Sequence, residues 1–488
     1  MSELLRRYVE QFNANDEELY VNDIPNERAY EWLKDRIPLF ECPDKEIERA
    51  YYFRWWTYRK HINTTPDGYA VTEFLPNVPW AGKYNVINAP AGHHFYEGRW
   101  LRGSRAIFSD YLRHYLNNPE DSHRYSSWLL YAAMQYEAVA GSLGIGDKEL
   151  EQMIEYYREW ERTHALRCGM FWSYDNYDAM EYSVSGTKNG NQVKGIRPTL
   201  NSYMYAEAVA IAYFAEKLGK QSVAEEYSRK AHALKRLINE NLLFDGFYKA
   251  KHGECDGEIE EIFDREGDLG APMEEIGYIP FMFGIPSDDA ARAFLLLDDE
   301  DIFLAKTGIS TVDKRDRGFL GEFDHECLWN GYVWPFATSQ TLTALINVIK
   351  SGHSELKNTF IRHIKLYADM HKIEKDGRSL PWIDEVMSPD EYLWTSRDIL
   401  EKLGWQKKLG GRERGKDYNH STFCDIVISG IVGLNTDSDE LTATPAIPED
   451  WDYFKLEGVE YKGKTYTVIY DKTGEKYGVG RGVKIIKA

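Results

Sequence analysis

Carboxylates set among aromatic rings are the side chains of this sequence best suited to chemistry. The run Trp172-Ser173-Tyr174-Asp175-Asn176-Tyr177-Asp178-Ala179-Met180-Glu181-Tyr182-Ser183 packs three of them between rings and small residues, with neither helical nor strand periodicity. Rings stack on the apolar faces of a pyranose, and carboxyls hold or protonate its oxygens. A sugar therefore suits this run; a turn with a solvated acidic edge is the alternative. A second acidic pair, Asp384-Glu385, follows Trp382 and lies between Pro381 and Pro389. The prolines keep the backbone extended, so the acids project from a loop, unless Asp384 serves as a helix cap. Hydrolysis of a glycosidic bond usually takes two carboxyls, one protonated and one ionised. Only the first needs a raised pKa, which burial beside aromatics supplies. The first is expected from Asp175, Asp178 or Glu181, and the second from the Asp384-Glu385 segment.

Three more stretches carry compatible residues. Asp324 to Pro335 brings Glu326, Trp329, Asn330 and Trp334 ahead of a helix. Stacking plus hydrogen bonding to hydroxyls is one reading, core tryptophan the other. Gly410 to Thr422 is glycine-flanked and basic, with Tyr418 and His420. It suits closure over a substrate or the holding of an anion, and equally a solvated mobile loop. Thr64 to Gly98, broken by Pro66, Pro76, Pro79, Gly82, Pro90 and Gly92, reads as a long irregular loop of the kind that is usually functional. It carries Glu73, Trp80, His93, His94 and Glu97 and leads into Arg99-Trp100. Adjacent His93 and His94 point apart and no His-Glu-x-x-His occurs, so no metal is expected. Without a phosphate loop, dinucleotide fingerprint or Gly-x-Ser-x-Gly elbow, no cofactor is expected either.

The elements that position these loops read as helices. Periodicity predicts them at Glu3–Tyr20, Glu27–Arg36, Lys45–Ile62, Ser104–Leu116, Arg124–Ala140, Lys148–Leu166, Thr199–Leu218 and Ser222–Leu242. Further helices are predicted at Asp288–Leu296, Val333–Lys350, Glu355–His371, Tyr392–Leu403 and Ser421–Val432, with 264–284 and 376–389 irregular. Helix pairs joined alternately by short turns and long aromatic-acidic loops predict a mainly α chain closed into an α/α toroid over residues 1–436, its loops collected on one face. Residues 437–488 alternate and are β-branched at Leu441–Thr444, Lys455–Glu457, Lys464–Tyr470 and Gly482–Ile486. They predict a small β-rich extension packed on the toroid.

Composition narrows the partners. At 488 residues and 43% hydrophobic content the chain can bury a large core. Its 79 Asp and Glu against 59 Lys and Arg give −20, with no basic cluster, so neither nucleic acid nor an anionic membrane is an expected partner. The 14 Trp and 34 Tyr exceed what packing usually needs and point to a carbohydrate. A homo-oligomer is left open. Cys42, Cys168, Cys255, Cys327 and Cys424 are scattered, which argues against a disulfide framework or zinc site and suits a reducing compartment. The first residues have no signal-peptide core and no stretch is apolar enough to span a bilayer, so a cytoplasmic protein is expected.

Three motifs together carry a family resemblance. Ala179-Met180-Glu181 stands where the family has Gly-Met-Asp, ahead of Leu200-Asn201-Ser202-Tyr203-Met204-Tyr205. Trp329-Asn330-Gly331-Tyr332-Val333-Trp334 partly matches Trp-Arg-Gly-Pro-x-Trp, and Glu385-Val386-Met387-Ser388-Pro389 is similar to Glu-Asn-Tyr-x-Pro. The sequence thus resembles glycoside hydrolase family 63 and its (α/α)6 relatives, the trehalases included. Among them it is most similar to the short bacterial members that hydrolyse glucosylglycerate and mannosylglycerate. The resemblance runs from about Tyr51 to Leu434. It implies an inverting, exo-acting hydrolase of an α-linked sugar, with Glu181 as acid and Glu385 as base. The acid position holds Glu in place of Asp, which leaves Asp178 as a rival. The clan's Trp-Asp pair is not evident near Glu97-Gly98-Arg99-Trp100-Leu101, so another sugar or linkage is open. Substrate contacts are expected from Trp80, His93, Glu97, Arg99, Trp100, Trp172, Asp175, Arg197, Asn201, Tyr203, Glu326, Trp329, Asn330, Trp334, Trp382, Asp384, Tyr418 and His420. Two other readings are a sugar 2-epimerase using His93, His325 and His420 as proton carriers, and a binding protein with an inactive site.

Overall fold

The computed structural model describes residues 1–188, 190–252, 272–286 and 288–487. Cys255 and the 264–271 part of the expected irregular connection lie outside the described residues. Helix dominates. Eleven α-helices of eight residues or more occur among the described residues: α1 Ser2–Ala14, α2 Lys45–Tyr58, α3 Ala91–Gly98, α4 Arg105–Asn117, α5 Leu129–Ala140, α6 Asp147–His164, α7 Pro198–Lys217, α8 Gln221–Leu242, α9 Pro335–Lys350, α10 Lys357–Met370 and α11 Thr395–Lys402.

They divide into two kinds by where their apolar residues fall. All eight residues of α3 are buried, as are 14 of 20 in α7 and 14 of 16 in α9. A helix covered on every side sits inside the protein. In α6 and α8 the buried residues form a single stripe, Leu150, Met153, Tyr157 and Trp160 in one, Ala224, Tyr227, Ala231, Leu234 and Ile238 in the other. Such helices present a polar face outward. The inner helices succeed one another in space. Helix α3 packs on α5, α5 on α7, α7 on the short helix Ile279–Met282, and that on α9. Helix α9 then packs on Phe423–Ile426, which returns to α3. Outside them α2 packs on α10, α4 on α6 and α8 on α7.

A four-stranded antiparallel sheet, ordered β1-β2-β3-β4, joins β1 Leu39–Glu41 to β2 Tyr453–Tyr461, β3 Lys464–Asp471 and β4 Gly482–Lys487. Its inward side chains are Phe40, Phe454, Leu456, Val459, Tyr461 and Val468. A bulge between Glu457 and Val459, with Gly458 at φ +78°, shifts the alternation so that Leu456 and Val459 are both buried. The N-terminal strand is too short to announce itself in sequence, and phenylalanine at its centre is paired with Leu456. At 441–444 the strand shrinks to Thr442–Ala443 paired with Leu434–Asn435.

Other expected elements moved. The stretch 64–98 is not irregular throughout: it holds a hairpin, Ile62–Thr65 with Gly68–Val71, and then α3. Gly92 and Gly98 belong to that helix because aromatic rings press against it; a Cβ would lie 2.3 Å from Trp128 and 1.9 Å from Phe108. Helix α1 stops at Ala14. Helix α5 begins only at Leu129, since Ser126 N donates to Tyr177 O at 2.6 Å and turns the chain aside. The expected helix at 421–432 is a four-residue helix, Phe423–Ile426, followed by a π-helical turn, Val427–Ile431. No helix among the described residues is long and apolar enough to cross a membrane.

Candidate active site

Glu181 lies on the long connection between α6 and α7. That connection is anchored at its start by Asn201 from the first turn of α7, whose side chain accepts from Phe171 N at 2.9 Å and donates to Phe171 O at 2.8 Å. Its middle is anchored by Asp178, which accepts from Arg197 Nε at 2.7 Å and Ser126 Oγ at 2.7 Å. Asp175 accepts from Ser183 N at 3.1 Å and Thr187 Oγ1 at 3.2 Å. Trp329 N donates to Glu181 O at 3.0 Å. Ala179 and Tyr182 have φ of 55° and 59°. A left-handed conformation at a residue with a side chain costs on the order of 1–3 kcal/mol and persists only where its surroundings impose it. The anchors on both sides impose it here, and Glu181 is carried into a cavity.

Glu385 enters the same cavity from the segment between the hairpin Lys372–Lys375/Arg378–Pro381 and α11. Its carboxylate accepts from Ser396 Oγ at 2.7 Å, from Arg414 Nε at 3.0 Å and from Arg414 Nη2 at 3.1 Å. Arg414 also donates from Nη1 to Glu326 at 2.8 Å and from Nη2 to Cys327 Sγ at 3.1 Å. The loop bearing Arg414 presses close. A Cβ on Gly415 would stand 2.0 Å from Asp384 Oδ1, so only glycine fits. The other end of this loop is held by a buried charge cluster. Lys60 Nζ is 2.7 Å from both Asp16 and Asp417, and Lys416 also pairs with Asp16.

The cavity has a volume of about 240 Å³. Trp80, Phe74, Ile87, Ala89, Ala179, Trp334 and Leu409 supply its apolar wall, and Tyr125, His325, Lys408 and Tyr418 supply further polar groups. Of its four acids, Glu181 and Glu385 sit in unlike fields. Among the described residues Glu181 forms no ion pair; burial, then the charges of Asp175, Glu385 and Glu73, push it up to about 8. Burial raises Glu385 too, but Arg414 and Ser396 oppose the rise. A charge-assisted bidentate pair of this kind favours the carboxylate. Against burial, Arg414 holds Glu326 below its usual range. Burial lifts Glu73 to about 8. Asp384 is lifted to about 7 by burial and by neighbouring Glu385.

Of the residues expected from sequence to act or to touch substrate, Trp80, Glu181, Glu326, Trp334, Glu385, Tyr418 and His420 line this cavity. The others are placed around it. Asp178, Asp175, Arg197 and Asn201 brace the Glu181 connection. Glu97 accepts from Cys424 N and Asp425 N, while Arg99 and Trp100 donate to Asp425, so these three tie α3 to the Phe423–Ile426 turn. Tyr203 accepts from Gln340. Trp329 stacks on Trp334 at 4.5 Å, and Asn330 donates to Gly318 O and Gly321 O. Trp172 stacks on His164, and Trp382 donates to Asp384. His93 sits behind His420, ring centroids 5.1 Å apart. Sequence reasoning left Glu73, Tyr125, Cys327, Lys408 and Arg414 out of the site. Glu73, Cys327 and Arg414 stand in stretches marked from sequence as compatible, but nothing in their residue types set them apart there; Tyr125 and Lys408 lie outside those stretches.

A helical scaffold whose loops bring two carboxyls of unlike environment into one aromatic-walled cavity has the form of a carbohydrate-cleaving domain. The chain belongs to the mannosylglycerate hydrolase MGH1-like glycoside hydrolase domain family, which it matches over residues 83–421. It is similar over 100% of its length to a protein described as a sialidase, with 34% identity and a TM-score of 0.86. The match covers 43% of that protein, so this chain spans less than half of the relative's length. The family 63 mannosylglycerate hydrolase from Thermus thermophilus, solved with glucose, shares the fold at 10% identity and a TM-score of 0.51, over 78% of this chain and 99% of that one. The family 78 rhamnosidase of Bacillus sp. GL1 does so at 12% identity and a TM-score of 0.58, over 91% and 41%. The family 63 resemblance carried by the three motifs agrees with these matches.

Proposed function

We propose that this domain is an inverting, exo-acting glycoside hydrolase of an α-linked sugar, built on an (α/α)6 toroid. One observation carries the reading: Glu181 and Glu385, from distant loops, line one cavity, the second paired with Arg414 and the first not. The succession of inner helices that returns from Phe423–Ile426 to α3 supports the toroid. The small volume supports exo action, because about one sugar ring fits where drug-sized ligands need more room. In the reaction Glu181 gives its proton to the glycosidic oxygen as the C1–O bond breaks. Glu385 takes a proton from water, whose oxygen forms the new bond to C1 from the opposite face. Arg414 keeps the base ionised and Ser396 aims it. The sialidase, mannosylglycerate hydrolase and rhamnosidase named above make glycosylated acids and short α-linked glycosides the substrates to try first. Of the three histidines an epimerisation would draw on, His325 and His420 line the cavity and His93 does not; the match to a glycoside hydrolase domain favours hydrolysis.

Glu385→Gln is expected to fold normally and lose turnover by about 10²–10⁴-fold, as loss of a general base does. Glu181→Gln is expected to lose comparably on natural glycosides but to keep much of its rate on a glycosyl fluoride, whose leaving group needs no proton. The kcat/KM profile should fall as pH rises through about 8, where Glu181 loses its proton, and that limb should vanish in Glu181→Gln. Proton NMR of the first product should show the inverted anomer. Near-full rate in Glu385→Gln, or retention at C1, would remove Glu385 from the base role.

A further inference from the structure

Besides the proton-transfer pair, the cavity contains a second polar assembly that the hydrolytic step does not use. His420 is 2% exposed and lines the cavity. Its Nδ1 lies 2.9 Å from Glu73 Oε1 and 2.5 Å from the Tyr418 hydroxyl. Its Nε2 is buried and has no hydrogen-bond partner among the described residues. The backbone locks this geometry. Asn419 N donates to Glu73 O at 3.1 Å, Asn419 Nδ2 donates to Thr72 O at 3.1 Å, and His94 Nε2 contacts Asn419 O at 2.7 Å. Phe336 stands edge-on to the imidazole at 3.8 Å between centroids, with His93 at 5.1 Å, so both rings pack against it.

An unpaired polar atom in so dry a place costs free energy that a ligand group can recover. The ligand group must be small, because the cavity has room for about one ring, and it must hydrogen-bond to an imidazole nitrogen. A sugar hydroxyl satisfies both conditions and can accept from Nε2–H or donate to Nε2, whichever tautomer Glu73 imposes.

We propose that His420 decides which sugar the cavity accepts: its Nε2 hydrogen-bonds one particular ring hydroxyl, with Glu73 and Tyr418 as positioning residues acting through Nδ1. The proposal rests on the glycosidase reading for its substrate class. It adds that specificity resides on the 73/418/420 side and not with the acid and base. A site built to bond a hydroxyl rejects the analogue lacking it far more strongly than an apolar site does.

The test pairs substrate deletion with residue deletion. The 4-nitrophenyl α-D-mannoside, α-D-glucoside and α-L-rhamnoside are screened, and each monodeoxy analogue of the best substrate is then measured. In the unaltered protein one deoxy analogue is expected to lose about 100-fold or more in kcat/KM, the others much less. His420→Phe keeps the ring volume and removes the nitrogen. It should lower the parent substrate to the level of that deoxy analogue and bring their ratio to about one. His420→Gln, whose amide can replace Nε2, should restore part of the ratio. Glu73→Gln and Tyr418→Phe should reduce it several-fold, mainly through KM, and they serve if His420→Phe does not fold. A ratio unchanged in all these variants overturns the proposal. If no aryl glycoside is cleaved, the hydrolytic reading fails by itself. The same deletion scan is then run as calorimetric binding of methyl α-glycosides to the unaltered protein and to His420→Phe. Selective loss of one deoxy glycoside, abolished in the variant, supports the role of His420. Equal binding by both proteins, or none by either, overturns it.

Discussion

Two glutamates of the same kind are made unlike by what surrounds them. Glu181 keeps its proton because burial has no cation to offset it, whereas Glu385 is gripped by Arg414. The same rule acts on Glu275, which accepts from Thr341 Oγ1 at 2.9 Å while its other oxygen has no partner among the described residues, and burial raises it well above the usual range. In the folded protein it stays protonated as pH rises past 4.5, where the unfolded chain gives its proton up. Its contribution to stability is therefore complete below 4.5 and is lost as pH climbs toward its folded-state value. Glu275→Gln should be spared that loss, so its melting temperature should gain on the unaltered protein between about pH 4 and pH 8. A constant difference across that range would contradict this. At this scale the sequence was informative where acid and ring are neighbours, as at 172–183. It marked the basic stretch that holds Arg414 but not that residue's partner, Glu385, which only the fold brings to it.

Among the connecting segments, fit depends on glycines that leave room for a neighbouring side chain. Gly415 lets its loop lie on Asp384-Glu385, with 2.0 Å to Asp384 Oδ1 for any added Cβ. Gly415→Ala is expected to displace the base and cut kcat by about 100-fold, the penalty for a misplacement of roughly 1 Å. Stability should change less, and comparison of kcat with the melting temperature separates the two effects. The same property explains the element the sequence hid. Gly92 and Gly98, with two histidines between, read as loop, yet they let Trp128 and Phe108 pack against α3. Helices with one apolar stripe, such as α6 and α8, were legible because periodicity reports a face. Helix α3, eight residues buried on every side, has no face to report, whereas the longer inner helices α7 and α9 were legible from their length.

Across the whole molecule, the sheet joins sequence extremes. A chain ending at residue 436 would lose β2 to β4 and uncover Phe40, the partner of Leu456, together with the surface of α5 that β2 contacts. Such a chain is expected to aggregate or to lose near-ultraviolet circular dichroism, whereas a self-sufficient helical domain would keep a cooperative melt. Alternation along 464–471 and 482–487 made those strands readable. Leu39–Glu41 became a strand only through its partner.

The clasp of Asp16 and Lys60 on Lys416 and Asp417, with β1 beside β2, also sets a timetable for biosynthesis. A nascent chain has the Glu181 arm and its anchors through Asn201 early, but the Arg414 arm gains its brace only when Lys416 emerges, 400 positions after Asp16. During translation the early helices must wait with Phe40 and their acidic partners uncovered, so this protein should lean on chaperones more than a fold of local contacts would.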